Sequence, residues 1–315
     1  MKEKTAIVFP GQGSQFVGMG KELFNNFSSA KLVFEKINDI LNKNLSKIIF
    51  DGPEDELVKT ENTQPALMAV SMALITILEK EYNKKFEDLC SITAGHSLGE
   101  YSALCASKSI SLEDTSKLLA IRGTEMSKCA LENPGSMAAI LGSDYETVDI
   151  IVNEAKQHGI CQIANDNSNG QIVISGTREA VNVAIEISKS KGIKRAIMLP
   201  VSGAFHSALM ENAKQKMFDI LSTTKIDQPR VPVISNVFVE PLIDSEQIKK
   251  ALIQQITGSV RWRETILFFE KKGIEQIIEI GSGKVLSGLA SRTCPNIKTF
   301  SIQTIEDLKQ LIPLH

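Results

Sequence analysis

Long apolar runs are missing from this chain. No stretch approaches the ~18 consecutive apolar residues that a bilayer-crossing helix needs. The run near the start, Thr5 to Phe9, is too short for the core of a signal peptide. Cysteine is sparse: Cys90, Cys105, Cys129, Cys161 and Cys294 are odd in number and include no CxxC pair, so neither a disulfide framework nor a cysteine-based zinc site is suggested. A reducing compartment, the cytoplasm, is expected for such usage. An excess of charge of one sign is also absent: 35 Lys and Arg stand against 37 Asp and Glu, a net charge of −2. That balance argues against nucleic acid as the main partner, because phosphate neutralisation needs a clustered basic excess. Histidine is scarce, with four in 315 residues, which makes a search for a general base short.

What is present is an ordinary globular composition, 43% hydrophobic and 23% charged. The length suits one large domain, or one domain with an insert, and buries a sizeable core without staples. Short apolar runs alternate with helical patterns, which predicts an α/β protein. Thr5–Phe9 reads as a strand, Thr63–Tyr82 as a buried helix, and Leu89–Ala94 as a strand. A helix is predicted from an N-cap at Ser111 to about Lys128. The middle changes rhythm. Strands at Ser136–Gly142, Cys161–Ala164, Gln171–Ser175 and Arg195–Leu199 alternate with helices at Tyr145–Gln157 and Thr177–Lys191. Asn165–Gly170 reads as a turn cluster. The order β-α-β-β-α-β is that of a ferredoxin-like unit. It is expected as a small domain over 130–200, inserted into a larger α/β domain formed by 1–129 and 201–315. The α/β pattern then resumes with helices near Ser207–Leu221 and Arg261–Lys272 and a strand at Gln276–Ile280.

Gly95-His96-Ser97-Leu98-Gly99 carries the strongest chemical signal. It is a G-x-S-x-G nucleophile elbow: an apolar strand precedes it, a helical sequence follows, and the crowded turn tolerates only glycine at its flanks. The helix start directs partial positive charge at the serine oxygen. Chance matches to five letters occur, and the strand–helix context is what raises this one above them. A serine nucleophile needs a base. His315 is terminal. His96 adjoins Ser97, where neighbouring side chains diverge. His158 precedes Gly159 at a helix end, where a solvated cation is the bland reading. His206 remains, in a loop after a buried strand, where α/β folds keep catalytic groups. Arg122 follows an apolar run on the next helix. Its bland reading is a pair with Glu125; its functional reading is a bidentate fork for a substrate carboxylate. Gly11-Gln12-Gly13-Ser14 lacks the third glycine of a dinucleotide fingerprint, and Gly281-Ser282-Gly283-Lys284 lacks P-loop spacing; both read as strand-to-helix turns.

These segments, in order, resemble one family. Phe9-Pro10-Gly11-Gln12-Gly13-Ser14-Gln15, Gly95-His96-Ser97-Leu98-Gly99-Glu100-Tyr101, Arg122-Gly123 with Met126, Gly203-Ala204-Phe205-His206 and Glu279 to Leu286 are similar to the signatures of malonyl-CoA:acyl carrier protein transacylases, over about residues 5–292. The resemblance implies an α/β-hydrolase-like core with a ferredoxin-like insert. It implies that Ser97 is acylated, that His206 is its base, and that the main-chain carbonyl of Gln255 orients the imidazole. The N–H groups of Gln12 and Leu98 would form the oxyanion hole. Arg122 would hold the malonyl carboxylate, with Gln64, Met126 and Phe205 lining the pocket and Phe205 crowding an α-methyl group. It implies no bound cofactor and no metal. The substrates would be malonyl-CoA and phosphopantetheinylated acyl carrier protein, the partner would be that carrier protein, and a monomer is expected. An acidic carrier would meet a basic rim, for which Lys191, Lys194, Arg195, Lys284 and Arg292 are candidates. The chain departs from its relatives' Asn-Pro-Val at Gly258-Ser259-Val260 and from their Gly-Pro-Gly at Gly281-Ser282-Gly283. A serine esterase or thioesterase would share Ser97 and His206 but leaves Arg122 unexplained. An idle relative that only binds acyl carriers would keep the fold without the chemistry.

Overall fold

The computed structural model describes residues 4–311. Among the described residues ten strands run β1 Thr5–Phe9, β2 Ile92–Gly95, β3 Gly135–Leu141, β4 Cys161–Ser168, β5 Gln171–Thr177, β6 Arg195–Met198, β7 Val233–Ile234, β8 Pro241–Leu242, β9 Gln276–Ile280 and β10 Lys298–Ile302. The helices that cover them or position the site are α1 Thr60–Lys80, α2 Leu98–Ala106, α3 Leu112–Glu132, α4 Tyr145–Ala155, α5 Arg178–Ser190, α6 Glu211–Thr223, α7 Ser245–Gln255, α8 Trp262–Lys271 and α9 Val285–Thr293.

The strands form two sheets. The larger has the order β10-β9-β1-β2-β7-β8 and is parallel except at its β7–β8 edge. Its centre is apolar on both faces. Along β1, Ile7 and Phe9 enter a core shared with α1, whereas Ala6 and Val8 enter a second core shared with α8 and α9. A strand buried on both sides must read as a continuous apolar run, as Thr5–Phe9 does. The smaller sheet is antiparallel, in the order β4-β5-β3-β6. Its faces diverge by the two-residue period. Ala138, Ile140, Ile172 and Ile174 pack under α4 and α5. Met137, Ala139 and Val173 look the other way, into the cavity that holds the candidate site.

The two sheets are stitched together along β4. Val260 N–H donates to Ala164 O at 2.8 Å, Asp166 N–H donates to Val260 O at 3.0 Å, and Arg263 forks onto the buried Asp166 carboxylate at 2.9–3.0 Å. This pairing corrects the turn expected at 165–170: β4 continues to Ser168, with irregular register at 163/165 and 166/168. Polar residues stay in the strand because other elements supply their partners. Helix α1 also begins earlier than expected, at Thr60, and carries Pro65 inside it. The apolar pattern starts only after Thr63, whereas the first turn, Thr60 to Asn62, is polar, with Thr60 and Asn62 buried. The expected strand at 89–94 is a short helical turn, Phe86–Leu89, followed by β2. Ser111 does cap α3, its Oγ accepting from Asp114 N–H at 3.0 Å, but the helix continues to Glu132.

The elbow between β2 and α2 is tight. A Cβ at Gly95 would lie 1.9 Å from Gly99 carbonyl atoms, and one at Gly99 would lie 2.3 Å from Phe9 O. Both contacts are backbone and cannot yield. Gly99→Ala is therefore expected to destabilise the fold by about 3 kcal/mol, the upper range for overpacking, and urea denaturation reads this directly; an unchanged midpoint would contradict the packing described.

Candidate active site

Ser97 sits at φ 54°, ψ −110° between β2 and α2, a left-handed conformation that serine rarely adopts. Such strain persists only where its surroundings enforce it. Here Asn236, in the loop after β7, does so. Its Oδ1 accepts from Ser97 N–H at 2.7 Å, and its Nδ2 donates to Gly95 O at 2.7 Å.

His206 lies in the loop before α6, itself at φ 56°. Its Nε2 is 2.8 Å from Ser97 Oγ, and its Nδ1 is 2.8 Å from the main-chain oxygen of Gln255 at the end of α7. A carbonyl can only accept, so Nδ1 carries the proton. Nε2 is left as a lone pair facing the serine hydroxyl. Gln162 on β4 fastens the loop: its Nε2 donates to His206 O and Thr257 O, and its Oε1 accepts from Ala208 N–H. His206 is 4% exposed. Burial, and then the charge of Arg122, push its pKa from the ordinary 6.5 down to about 3.

Two pH consequences follow. Because the free imidazole is already neutral, activity should show no acid limb near pH 6.5; a pH profile of kcat/KM checks this, and a limb there would contradict the burial described. For stability, the unfolded histidine binds a proton below about 6.5 and the folded one only near 3, so the stabilising contribution is present above 6.5 and lost as pH falls toward 3.

Arg122 is 1% exposed, and the pair expected with Glu125 does not form. Glu125 pairs with Lys128 instead. The guanidinium reaches the site because Gly123 lets α3 press on α1: a Cβ there would meet Thr60 O and Glu61 Cα at 2.6 Å. Nη1 donates to Gln64 Oε1 at 2.7 Å; Nη2 donates to Gln255 Oε1 at 2.8 Å and to Ser97 Oγ at 3.1 Å. The amide of Gln64 is fixed from behind. Its Nε2 donates to Thr60 Oγ1, which donates to Gln12 Oε1, each at 2.9 Å. Gln64 Nε2 also lies 3.7 Å from Met126 Sδ.

Ser97, His206, Arg122, Gln64 and Gln12 line one cavity of about 260 Å³, together with Phe205, Met126 and Leu98. The backbone N–H groups of Gln12 and Leu98 have no acceptor among the described residues. Ser97, His206, Gln255, Gln12, Leu98, Arg122, Gln64, Met126 and Phe205 are thus brought together, although no pattern links them in sequence. Of the remaining histidines, His96 Nε2 bonds Asn167 Oδ1 at 2.8 Å, His158 is exposed at the end of a short 3-10 turn, and His315 lies outside the described residues. The five cysteines are free and buried. Among the described residues no group of three or more His, Cys, Asp or Glu could hold a metal ion, and no helix is long and apolar enough to cross a membrane. Of the basic candidates, Lys284 precedes α9 beside the cavity-lining Val285, and Arg292 donates to the cavity-lining Gln171 at 3.0 Å. Lys191 pairs with Glu154, and Lys194 and Arg195 are exposed at β6.

Sequence reasoning missed Asn236, Gln162 and the side chain of Gln255. All three act by bonding backbone or neighbouring amides across the fold, which leaves no local motif. Glu100 stood in plain view inside the elbow motif; its burial was the missing information.

Comparison with known proteins places these features in a wider set. The model of the acyl transferase domain family matches residues 6–305. Malonyl CoA-acyl carrier protein transacylase of Bacillus subtilis is 43% identical over 310 residues, covering 98% of this chain and 96% of that protein. The crystal structure of acyl-carrier-protein-S-malonyltransferase from Bartonella henselae superposes with a TM-score of 0.95 at 50% identity, with 98% of both chains covered. A malonyl-transacylase solved in complex with its type II polyketide synthase acyl-carrier protein gives a TM-score of 0.95 at 38% identity, covering 99% of this chain and 100% of that one.

Proposed function

The chain belongs to the acyl transferase domain family, and from that premise we propose that it is an acyl-carrier-protein S-malonyltransferase of fatty acid biosynthesis. It moves a malonyl group from malonyl-CoA to the phosphopantetheine thiol of acyl carrier protein. The observation that carries this reading is a buried guanidinium 3.1 Å from a serine hydroxyl that also faces a neutral imidazole nitrogen at 2.8 Å. A nucleophile and base alone would serve many acyl groups; the arginine selects one that ends in a carboxylate.

Ser97 Oγ attacks the thioester carbonyl while His206 Nε2 takes its proton. The carbonyl of Gln255 stabilises the imidazolium through Nδ1–H. The oxyanion faces the N–H groups of Gln12 and Leu98, whose free donors support that role; one such donor is worth about 3 kcal/mol in other enzymes. The tetrahedral species collapses, the C–S bond breaks, and the coenzyme A sulfur leaves with the proton from Nε2. In the second half, the carrier's thiol gives its proton to Nε2 and its sulfur attacks the ester carbonyl. Ser97 Oγ departs and recovers the proton. Arg122 holds the malonyl carboxylate throughout, with Gln64 and Met126 beside it, and Phe205 leaves little room at the α-carbon.

The antiparallel order β4-β5-β3-β6 and its two covering helices support a ferredoxin-like insert over 130–200. The parallel sheet with its serine elbow supports an α/β-hydrolase-like domain for 1–129 and 201–315. A site assembled from one chain supports a monomer as the working unit, and the free cysteines support a cytoplasmic setting. Lys284, next to the cavity-lining Val285, and Arg292, bonded to the cavity-lining Gln171, support the approach of an acidic carrier from that side.

The test is product analysis with and without an acceptor. With malonyl-CoA and phosphopantetheinylated carrier, malonyl-carrier should form with one coenzyme A released per transfer. Rapid release of free malonate whether or not the carrier is present would instead mark a hydrolase.

A further inference from the structure

Glu100 takes no part in the chemistry above, yet it is completely buried in the first turn of α2. Oε2 accepts from Gln255 Nε2 at 2.5 Å and from Asn236 N–H at 3.4 Å. Oε1 is buried with no hydrogen-bond partner. Gln255 Nε2 also donates to Ser97 O at 2.9 Å. An amide with its nitrogen held by two acceptors must turn its oxygen the other way, and Gln255 Oε1 is the atom that receives Arg122 Nη2 at 2.8 Å.

The arrangement has an electrostatic logic. A buried guanidinium needs a compensating anion, but a carboxylate bonded directly to it would occupy the donors that a substrate carboxylate requires. Glu100 supplies the charge from one residue further away, through Gln255. When a malonyl group enters, the enclosed site holds two anions and one cation. The buried carboxylate is then held by amide donors alone, and protonation is the cheaper alternative to keeping it charged.

We propose that Glu100 is a positioning residue that orients the Gln255 amide toward Arg122, and that its ionised fraction takes up a proton from solvent as a carboxylated acyl group is loaded on Ser97. This rests on the malonyl-transfer reading above. The proton goes to Oε1, so Oε2 remains the acceptor for Gln255 and Asn236 and the hydrogen-bond network is kept. The titratable groups that face Glu100 are Arg122 from α3 and Tyr101 on its own helix; Gln255 from α7 and Asn236 from the loop after β7 are neutral. His206 lies beyond Ser97 and stays uncharged. Burial already brings the free carboxyl to about 7, with Gln255, Asn236 and Arg122 opposing the rise.

The test counts protons. Stoichiometric malonyl-CoA is mixed with the enzyme near pH 7 in weak buffer with an indicator dye, and acyl-serine is quantified by mass spectrometry. Glu100→Gln, which retains an acceptor for Gln255, is treated alike, and counts are normalised to acyl-serine formed. Coenzyme A release is common to both and cancels. The wild type should take up about half a proton more per acyl group than the variant, because the free carboxyl is half ionised at this pH. Equal counts would overturn the inference while leaving the transfer reading intact; a wild type that gains no acyl mass would overturn the transfer reading instead. Infrared difference spectra of the wild type alone, loaded with ¹³C-malonyl-CoA, give a second reading should the variant not fold. A new band of a protonated, unlabelled carboxyl supports the inference, and its absence overturns it.

Discussion

His206→Ala slows acylation of Ser97 by about 10⁴-fold, the upper range for loss of a positioned general base. The size follows from geometry. Nε2 is 2.8 Å from the hydroxyl it deprotonates, and no other histidine among the described residues can stand in, since His96 is held by Asn167 and His158 is exposed at the end of a 3-10 turn. The residual rate would come from the free amides of Gln12 and Leu98 and from binding. Rapid-quench measurement of malonyl-enzyme formation checks this. A loss of less than tenfold would mean that the hydroxyl is activated by another group, of which Arg122 Nη2 at 3.1 Å is the nearest described.

Arg122→Ala lowers kcat/KM for malonyl-CoA by about 10²–10³-fold, corresponding to the 3–4 kcal/mol of a bidentate charge-assisted pair. Uncharged acyl-CoA should suffer far less. The guanidinium is one cause of the depressed basicity of His206. A malonyl carboxylate offsets that charge when it binds, so the substrate that fits the fork also relieves the base. An acetyl group does neither, and removal of the arginine should raise acetyl loading relative to malonyl. Hydrolysis relative to transfer should rise as well, because the intermediate loses its anchor. Arg122→Lys should recover little of the lost rate, since one ammonium cannot reproduce contacts to Gln64, Gln255 and substrate together. Competition between malonyl-CoA and acetyl-CoA gives the ratio; an unchanged ratio would contradict the assignment.

The elements that local pattern fixes were legible. β9 falls on the expected residues, and the glycines around Ser97 announced a turn that only they can make. Asn165 to Ser168 misled because polar residues in series look like a turn. They are strand because Asp166 meets Arg263, Asn167 meets His96, and Val260 pairs with the backbone. Those partners lie some 70–100 positions away, beyond the reach of periodicity. The site shows the same division. Ser97 was found by motif, His206 by elimination among few histidines, and Arg122 by its apolar setting. The Gln255 oxygen that holds His206 belongs to the main chain, and a carbonyl leaves no mark on residue type; family resemblance supplied it. Glu100 and Asn236 carry no signature because their importance comes from burial.

The central claim is that the hydroxyl of Ser97 carries the acyl group between two thiols. Intact-mass and peptide mass spectrometry after brief exposure to malonyl-CoA tests it most directly. The wild type should gain one malonyl mass on the peptide containing Ser97 and lose it when phosphopantetheinylated carrier is added, whereas Ser97→Ala should gain none. An acyl mass on another residue, or one that persists in the presence of the carrier, would contradict the account.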